Sequence, residues 1–247
     1  MQFIPIKTRP LYPPKDDLIK IIDDYITELK NWDVIFITSK VVAINQWKCI
    51  KNDWNVSKKD LIQREADSFL ITDVVPWKNI YLTIKNNILI PSAWIDESNA
   101  NWYFILWPDK LEDFSIEIHS YLTKKFNIKD LWIIITDSTT RPLKWWVVGI
   151  WIYSYWIIPL NDERWTKDIF WKKLAITQIN VVDALSAIAV YLMWEWSETQ
   201  PIIIWREIPW IKYSTEKWLY EKIVIEPKDD LFWVLLKPLT DKLWQKY

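Results

Sequence analysis

Glycine is nearly missing from this chain: 247 residues contain one, Gly149, where an average protein has about 7%. Turns that need a positive φ then lack the residue that adopts it without strain. Cysteine and histidine are as scarce, with a single Cys49 and a single His119. That excludes a disulfide framework and Cys/His zinc sites, and it excludes a Cys–His nucleophile unless those two side chains meet. Each is read as structural. Neither sign of charge dominates, with 31 basic and 32 acidic residues, and no basic stripe marks a nucleic-acid partner. No apolar run reaches the about 18 residues of a membrane span. The amino-terminal MQFIPIKTRPLYPPKDD lacks the basic segment followed by a long apolar one of a secretion signal. A globular, cytoplasmic protein is the expectation.

What is in excess is tryptophan, at 21 residues. Many of these stand among turn formers: Trp32 lies between Asn31 and Asp33, Trp54 between Asp53 and Asn55, Trp165 between Arg164 and Thr166, and Trp196 between Glu195 and Ser197. Asn-Gly and Asp-Gly are the pairs expected at such turns. The deficit and the excess have one cause if a genome that reads the codon UGA as glycine has been translated with a table that reads it as tryptophan. Abundant Lys, Ile and Asn, as in AT-rich genomes, agree with this. Most of the tryptophans are therefore read as glycine positions, with single ones, such as Trp145 in the pair WW, left open.

The chain is long enough for one large domain or two intertwined small ones. KDDLIKIIDDYITELK places Leu18, Ile21, Ile22, Tyr25, Ile26 and Leu29 on one helical face, with Asp16 as its cap and a turn at Asn31-Trp32. DVIFIT predicts a buried strand ending at Thr38, and NILI and LWIIIT predict two more. Each is followed by polar residues, so chemistry is expected at strand ends. KLEDFSIEIHSYLTKKF predicts an amphipathic helix carrying His119. NVVDALSAIAVYLM predicts a largely buried helix stopping at WEW, where glycine would form the carboxy-terminal cap. PIIIW is a further strand, and YEKIVIEP and FWVLLKPL are read as strand and helix additions. The fold class is mixed α/β (α+β), without internal repeats or a clear linker.

Even with glycine restored, no GxxxxGK[ST] phosphate loop exists, because Trp165 and Trp171 are separated by five residues. GIWIYSYW has the wrong spacing for a dinucleotide fingerprint and is read as a hairpin. More informative are oxygen ligands at three separated places: Asp96 in WIDESN, Asp137 with Ser138 in IITDSTTR, and Glu195 in MWEWSE. Carboxylates and a hydroxyl without His or Cys suit Mg²⁺ or Mn²⁺, ions that hold nucleotide phosphates.

With those letters, SAWIDESNANW, IIITDSTTRPLK, WVVGI, IIPLNDERWTKDIFWKKLAITQINVVDALSAIA and LMWEW follow one another in an order that resembles the γ-glutamyl ligase family acting on the precursor of the deazaflavin coenzyme F-420. The likeness runs from about Pro10 to Arg206. The family has glycine where Trp94, Trp102, Trp146, Trp156, Trp165, Trp171, Trp194 and Trp196 stand here. The resemblance implies a ligase-like fold over residues 1–210 with residues 211–247 as an extension packed on it, working as a homodimer of intertwined domains. It implies a GTP-dependent enzyme with two divalent-metal sites, Mg²⁺ or Mn²⁺, allowing K⁺ as well, that joins L-glutamate to a carboxylate acceptor. Carried over by position, Asp96 and Asp137 match the ligands of one metal, and Ser138 and Glu195 those of a second. Nucleotide contacts match Arg9, Pro10, Leu11, Tyr12, Ser39, Lys40, Asn99, Met193, Trp194, Trp196, Ser197, Glu198, Thr199 and Gln200. Asp168, Thr177 and Asp183 are candidates for orienting helices, and Arg141 for meeting phosphate or a substrate carboxylate.

Two departures stand out. Ile44 occupies the place of a family lysine that helps hold the nucleotide, leaving Lys40 as the nearby cation, and Thr140 replaces a usual glycine. An amide ligase of the same fold with another acceptor, and a noncatalytic nucleotide- or metal-binding relative, are the alternatives. The glycine reading is tested by intact mass: protein purified from its own host is expected well below the 30.0 kDa of the printed chain, and a mass at that value contradicts it.

Overall fold

The computed structural model describes the whole chain except Trp54, residues 71–79, Trp146, Glu195, and residues 217–218, 236–243 and 246–247. At its centre lies a five-stranded sheet in the order β1 (Gln2–Ile6), β12 (Ile202–Arg206), β2 (Asp33–Thr38), β8 (Leu131–Thr140), β9 (Val147–Tyr155). Strands β2 and β8 run parallel, with Asp33 opposite Leu131 and Thr38 opposite Thr136, and the other neighbours are antiparallel. Both faces of the sheet are covered, so its strands read as continuous β-branched runs rather than as alternations.

Side-chain alternation along β2 divides the core in two. Ile35 and Ile37 join Ile133, Ile135, Ile202 and Ile204 beneath helices α1 (Leu18–Tyr25) and α4 (Leu111–Phe126). On the opposite face Val34 and Phe36 meet Ile134 and Ile203 under helix α5 (Val181–Met193), which contributes Val182, Leu185, Ala189 and Met193. Helix α5 comes so close to β9 that a Cβ placed on Gly149 would lie 2.4 Å from the Ser186 carbonyl oxygen and 2.6 Å from the Val190 Cβ. The one printed glycine is therefore fixed by packing. A smaller layer flanks the sheet, built from β3 (Cys49–Lys51) paired with β7 (Tyr103–Ile105), helix α3 (Lys58–Glu65), and a second sheet in the order β13 (Trp244–Gln245), β4 (Ser68–Leu70), β5 (Leu82–Lys85), β6 (Ile88–Pro91). The β5–β6 hairpin turns through Asn86 and Asn87, both at positive φ.

The predicted strands at DVIFIT, NILI, LWIIIT and PIIIW are β2, β6, β8 and β12. Three details differ from expectation. Asp17, not Asp16, caps α1, its carboxylate accepting from the Ile19 N–H, because Asp16 is engaged by Arg9. GIWIYSYW forms no hairpin of its own: it continues strand β9, hydrogen-bonded to β8. YEKIVIEP holds a short 3-10 turn at Tyr220–Lys222 in place of a strand, while FWVLLKPL ends outside the described residues. His119 is buried in α4, in edge contact with Tyr155 and Trp156. Cys49 lies in β3, where burial pushes its thiol up to about 11. Both are structural. No helix among the described residues is long and apolar enough to cross a membrane.

The backbone bears directly on the tryptophan excess. Trp32, Trp47, Trp94, Trp102, Trp156, Trp165, Trp171, Trp194 and Trp210 all have φ between 58 and 75°. Left-handed backbone costs a residue with a Cβ roughly 1–2 kcal/mol, so nine such positions rival the roughly 5–15 kcal/mol by which a whole domain is stable. Burial does not offset this at Trp47, Trp102, Trp165, Trp171 and Trp210, whose side chains are exposed. Trp194 caps α5 at φ 62°, as a carboxy-terminal glycine would. Trp196 is not among these positions, and Trp54 and Trp146 lie outside the described residues. Trp102→Gly and Trp165→Gly are each expected to raise stability by about 1 kcal/mol in urea unfolding. A loss of stability in both would contradict the assignment.

Candidate functional site

The parallel register of β2 and β8 brings two polar pairs to one end of the sheet. With Thr38 opposite Thr136, the next residues, Ser39 and Lys40 at the start of helix α2 (Ser39–Asn45), stand beside Asp137 and Ser138. Strand β9 bulges at Ile152, between the partners of Ile135 and Thr136, and beyond the bulge Asp137 pairs with Ile150. The Ser39 hydroxyl donates to Asp137 Oδ2, and the Ser138 N–H donates to Asp137 Oδ1 at 2.7 Å.

Asp96 arrives from a different part of the chain. Its backbone pairs both ways with Ile105 of β7, at 3.1 and 2.9 Å. Its carboxylate accepts from the Ser98 N–H at 2.7 Å and pairs with Lys40 Nζ at 2.5 Å. Lys40 also donates to the Ser98 carbonyl at 2.9 Å. The neighbouring Asn99 amide donates to the Trp196 carbonyl at 2.7 Å, tying this loop to the segment after α5.

These groups surround a cavity of about 440 Å³, within the usual range for small-molecule sites. Asp96, Asp137, Ser138 and Lys40 form its polar wall, and Arg9 to Tyr12, Asn99, Met193, Trp194 and Trp196 to Gln200 form its rim. The rim is stitched together by the Thr8 N–H donating to the Thr199 carbonyl at 2.8 Å and the Thr38 N–H to the Pro201 carbonyl at 3.1 Å. Ser39 lies behind the wall, on Asp137. Thr8, Thr38, Asn101 and Pro201 also line the cavity and carried no sequence signal, since what places them is long-range backbone pairing. Ile44 lines it as well, leaving an apolar patch where the family pattern has a cation. Arg9 faces inward from a bidentate pair with Asp16, at 2.7 and 2.6 Å. Asp168 accepts from the Phe170 and Lys172 N–H groups, and Asp183 accepts from the Trp151 N–H and caps α5 together with Asn180; these are structural roles. Thr177 and Arg141 do not line the cavity. Glu195 lies outside the described residues.

The two carboxylates are shifted in opposite directions. Burial pushes Asp137 above the usual carboxylate range, against the Ser39 hydroxyl, the Ser138 N–H and the Lys40 charge. Burial also raises Asp96, but the charge and hydrogen bond of Lys40, with the donors of Ser98, outweigh it and leave Asp96 low. Two carboxylates and a hydroxyl beside one ammonium form a hard-oxygen donor set suited to Mg²⁺ or Mn²⁺. A desolvated carboxylate such as Asp137 is the kind of group a divalent cation relieves. Among the described residues, no three His, Cys, Asp or Glu side chains gather closely enough to hold a metal by themselves.

Such a cavity, at the carboxyl ends of parallel strands, has the place and size of a small-molecule site in an α/β protein. Residues 6–207 match the model of the F420-0:γ-glutamyl ligase family, and the chain belongs to that family and is a ligase. It is 28% identical to the coenzyme F420:L-glutamate ligase of Methanopyrus kandleri, covering 89% of this chain and 92% of that one. It is 36% identical to the protein of the same name from Methanosarcina mazei, covering 82% and 84%. With that of Methanocaldococcus jannaschii it shares 30%, over 77% and 80%.

The rim yields a pH prediction. The Arg9 hydrogen bond, opposed by burial, holds Asp16 below its usual 3.8, so the pair contributes stability above that value and loses it as the pH falls through the depressed one. Asp16→Asn is expected to destabilise the protein at pH 7 by at most about 1 kcal/mol, because the pair is partly exposed. The gap between variant and parent should close on acidification. A gap that widens as the pH falls would contradict the pairing.

Proposed function

We propose that this ligase forms an amide between L-glutamate and a carboxylate of the F-420 precursor F-420-0, using GTP and divalent metal. The observation that carries this reading is the convergence of Asp96, Asp137 and Ser138 with Lys40 on one cavity whose rim is the Arg9–Tyr12 and Met193–Gln200 segments. The names of the relatives support L-glutamate as a substrate, and the family's description supports F420-0 as the acceptor.

The obstacle in such a reaction is charge: an acceptor carboxylate must approach a triphosphate. An oxygen of the acceptor carboxylate attacks the terminal phosphorus and GDP leaves. The glutamate amine then attacks the acyl carbon, phosphate departs, and the nitrogen releases a proton. Bound Mg²⁺ or Mn²⁺ would neutralise phosphate charge. Asp96 and Asp137 would hold one metal, and Ser138 with Glu195 matches the family pattern for a second. Lys40 supplies a fixed positive charge beside the phosphates. The segments around Arg9–Tyr12 and Thr199 line the cavity and would hold the reactants together, which lowers the entropic part of the barrier.

A homodimer is supported by apolar side chains left in water: Ile169, Phe170 and Ile176 on the arm between β10 (Leu160–Asp162) and β11 (Gln178–Asn180), and Ile188 and Tyr191 on α5. Ile44 favours a second reading, an amide ligase with a different acceptor, because an apolar residue lines the cavity where the family pattern places a lysine.

Protein with glycine at the left-handed tryptophan positions, given GTP, Mn²⁺, glutamate and F-420-0, is expected to yield a product heavier by one glutamyl unit. Asp137→Asn should remove metal-dependent GTP turnover while keeping the fold. GTP consumption only with another acceptor would transfer the assignment to the second reading. Stabilisation by GTP with Mn²⁺ but turnover with no acceptor would leave a noncatalytic nucleotide-binding relative.

A further inference from the structure

Asp96 follows a stretch of backbone that L-residues do not adopt unaided. Ser92, Ala93 and Trp94 have φ of 55, 51 and 66° in succession, whereas left-handed residues normally occur singly. A run of this kind persists only where its surroundings over-determine it. The surroundings here are β5 and the residue preceding it. The Ser92 N–H donates to the Tyr81 carbonyl at 2.6 Å, and the Tyr81 N–H donates back to Ser92 Oγ at 3.3 Å. The Ala93 N–H donates to Thr83 Oγ1 at 2.8 Å, and the Thr83 hydroxyl donates in turn to the Ile90 carbonyl. Thr83 and Ala93 are both wholly buried, so water cannot replace this hydroxyl. The turn closes with the Ile95 N–H on the Ser92 carbonyl at 2.9 Å, and the following residue is Asp96, locked to Ile105.

We infer that Thr83 is a positioning residue for the ligase site: its buried hydroxyl holds the left-handed turn Ser92–Trp94 and thereby sets where Asp96 presents its carboxylate to Lys40 and the cavity. Thr83 itself does not line the cavity. It acts on the ligand set from outside, as the hydrogen-bonded supports of metal ligands do. The proposal rests on the reading of Asp96 as a ligand for divalent metal.

Mn²⁺ binding to the full-length protein, read from the electron-paramagnetic signal of free Mn²⁺ beside a thermal melt of each variant, tests both levels. Asp96→Asn and Thr83→Val are expected to weaken Mn²⁺ by about ten-fold or more, the usual effect of losing a ligand's support. Thr83→Ser, which keeps the hydroxyl, should bind within about two-fold of the parent on the same scale. If Asp96→Asn binds like the parent, the metal reading of Asp96 fails and the proposal falls with it. If Asp96→Asn weakens binding while Thr83→Val does not, the positioning role alone is overturned, as it is if Thr83→Ser is as weak as Thr83→Val. Should Thr83→Val fail to fold, the double variant Thr83→Val with Ala93→Gly accepts the left-handed backbone without the tether. Weak Mn²⁺ binding by that folded double variant supports the role, and parent-like binding overturns it.

Discussion

The parallel pairing of β2 with β8 is the constraint on which the molecule is built. Two buried strands of β-branched residues lie in register over six pairs, and each changes at the same level from apolar to polar. What lies beyond that level is chemistry: Ser39 and Lys40 from one strand end, Asp137 and Ser138 from the other. Ligands in open α/β sheets collect at the carboxyl ends of strands for this reason. Helices α1 and α4 on one face and α5 on the other keep the pair dry, and the carboxy-terminal end of α5 supplies the rim that follows Met193. A slip of one residue between β2 and β8 would turn the faces of the slipped strand over and separate Ser39 from Asp137.

Asp96 completes the site from outside the sheet, and two different forces fix it. Its backbone is locked by the Ile105 pairing and by the turn before it, and its side chain is fixed by Lys40 and Ser98. Lys40 is thus the link between the sheet and the flanking layer. Its charge also accounts for the divergence of the two carboxylates, because Lys40 lies against Asp96 while the more desolvated Asp137 receives only its longer-range field and neutral donors.

Much of this was legible from residues alone. Apolar β-branched runs marked β2, β6, β8 and β12, and the 3.6-residue spacing of Leu18, Ile21, Ile22 and Tyr25 marked α1. Asp137 stands out in combination with Asp96, Ser138 and Glu195, oxygen ligands that each follow an apolar element. Other features lay beyond periodicity. The exchange of Asp16 for Asp17 as the α1 cap depends on Arg9, and the anchoring of Asp96 depends on Thr83 and Ile105; such partners are distant in sequence and follow from the fold rather than from any local pattern. GIWIYSYW was read as a hairpin because glycine at its tryptophans suggested turns, whereas the segment is a strand pressed against α5 at Gly149. The tryptophans themselves were legible from their neighbours: the Asn31-Trp32-Asp33 triplet announced a left-handed turn, and the backbone at Trp32 has φ 75°.

The central claim is that the carboxylates of Asp96 and Asp137 act together on one hard cation, with the Ser138 hydroxyl beside it. Anomalous X-ray scattering from crystals grown with Mn²⁺ and a nonhydrolysable GTP analogue addresses it most directly. The account predicts a manganese peak bonded to both carboxylates, with the nucleotide phosphates on its open side and the Ser138 hydroxyl at the same centre or an adjacent one. A peak elsewhere on the molecule, with Lys40 still closing Asp96 and the analogue bound away from Asp137, would contradict it.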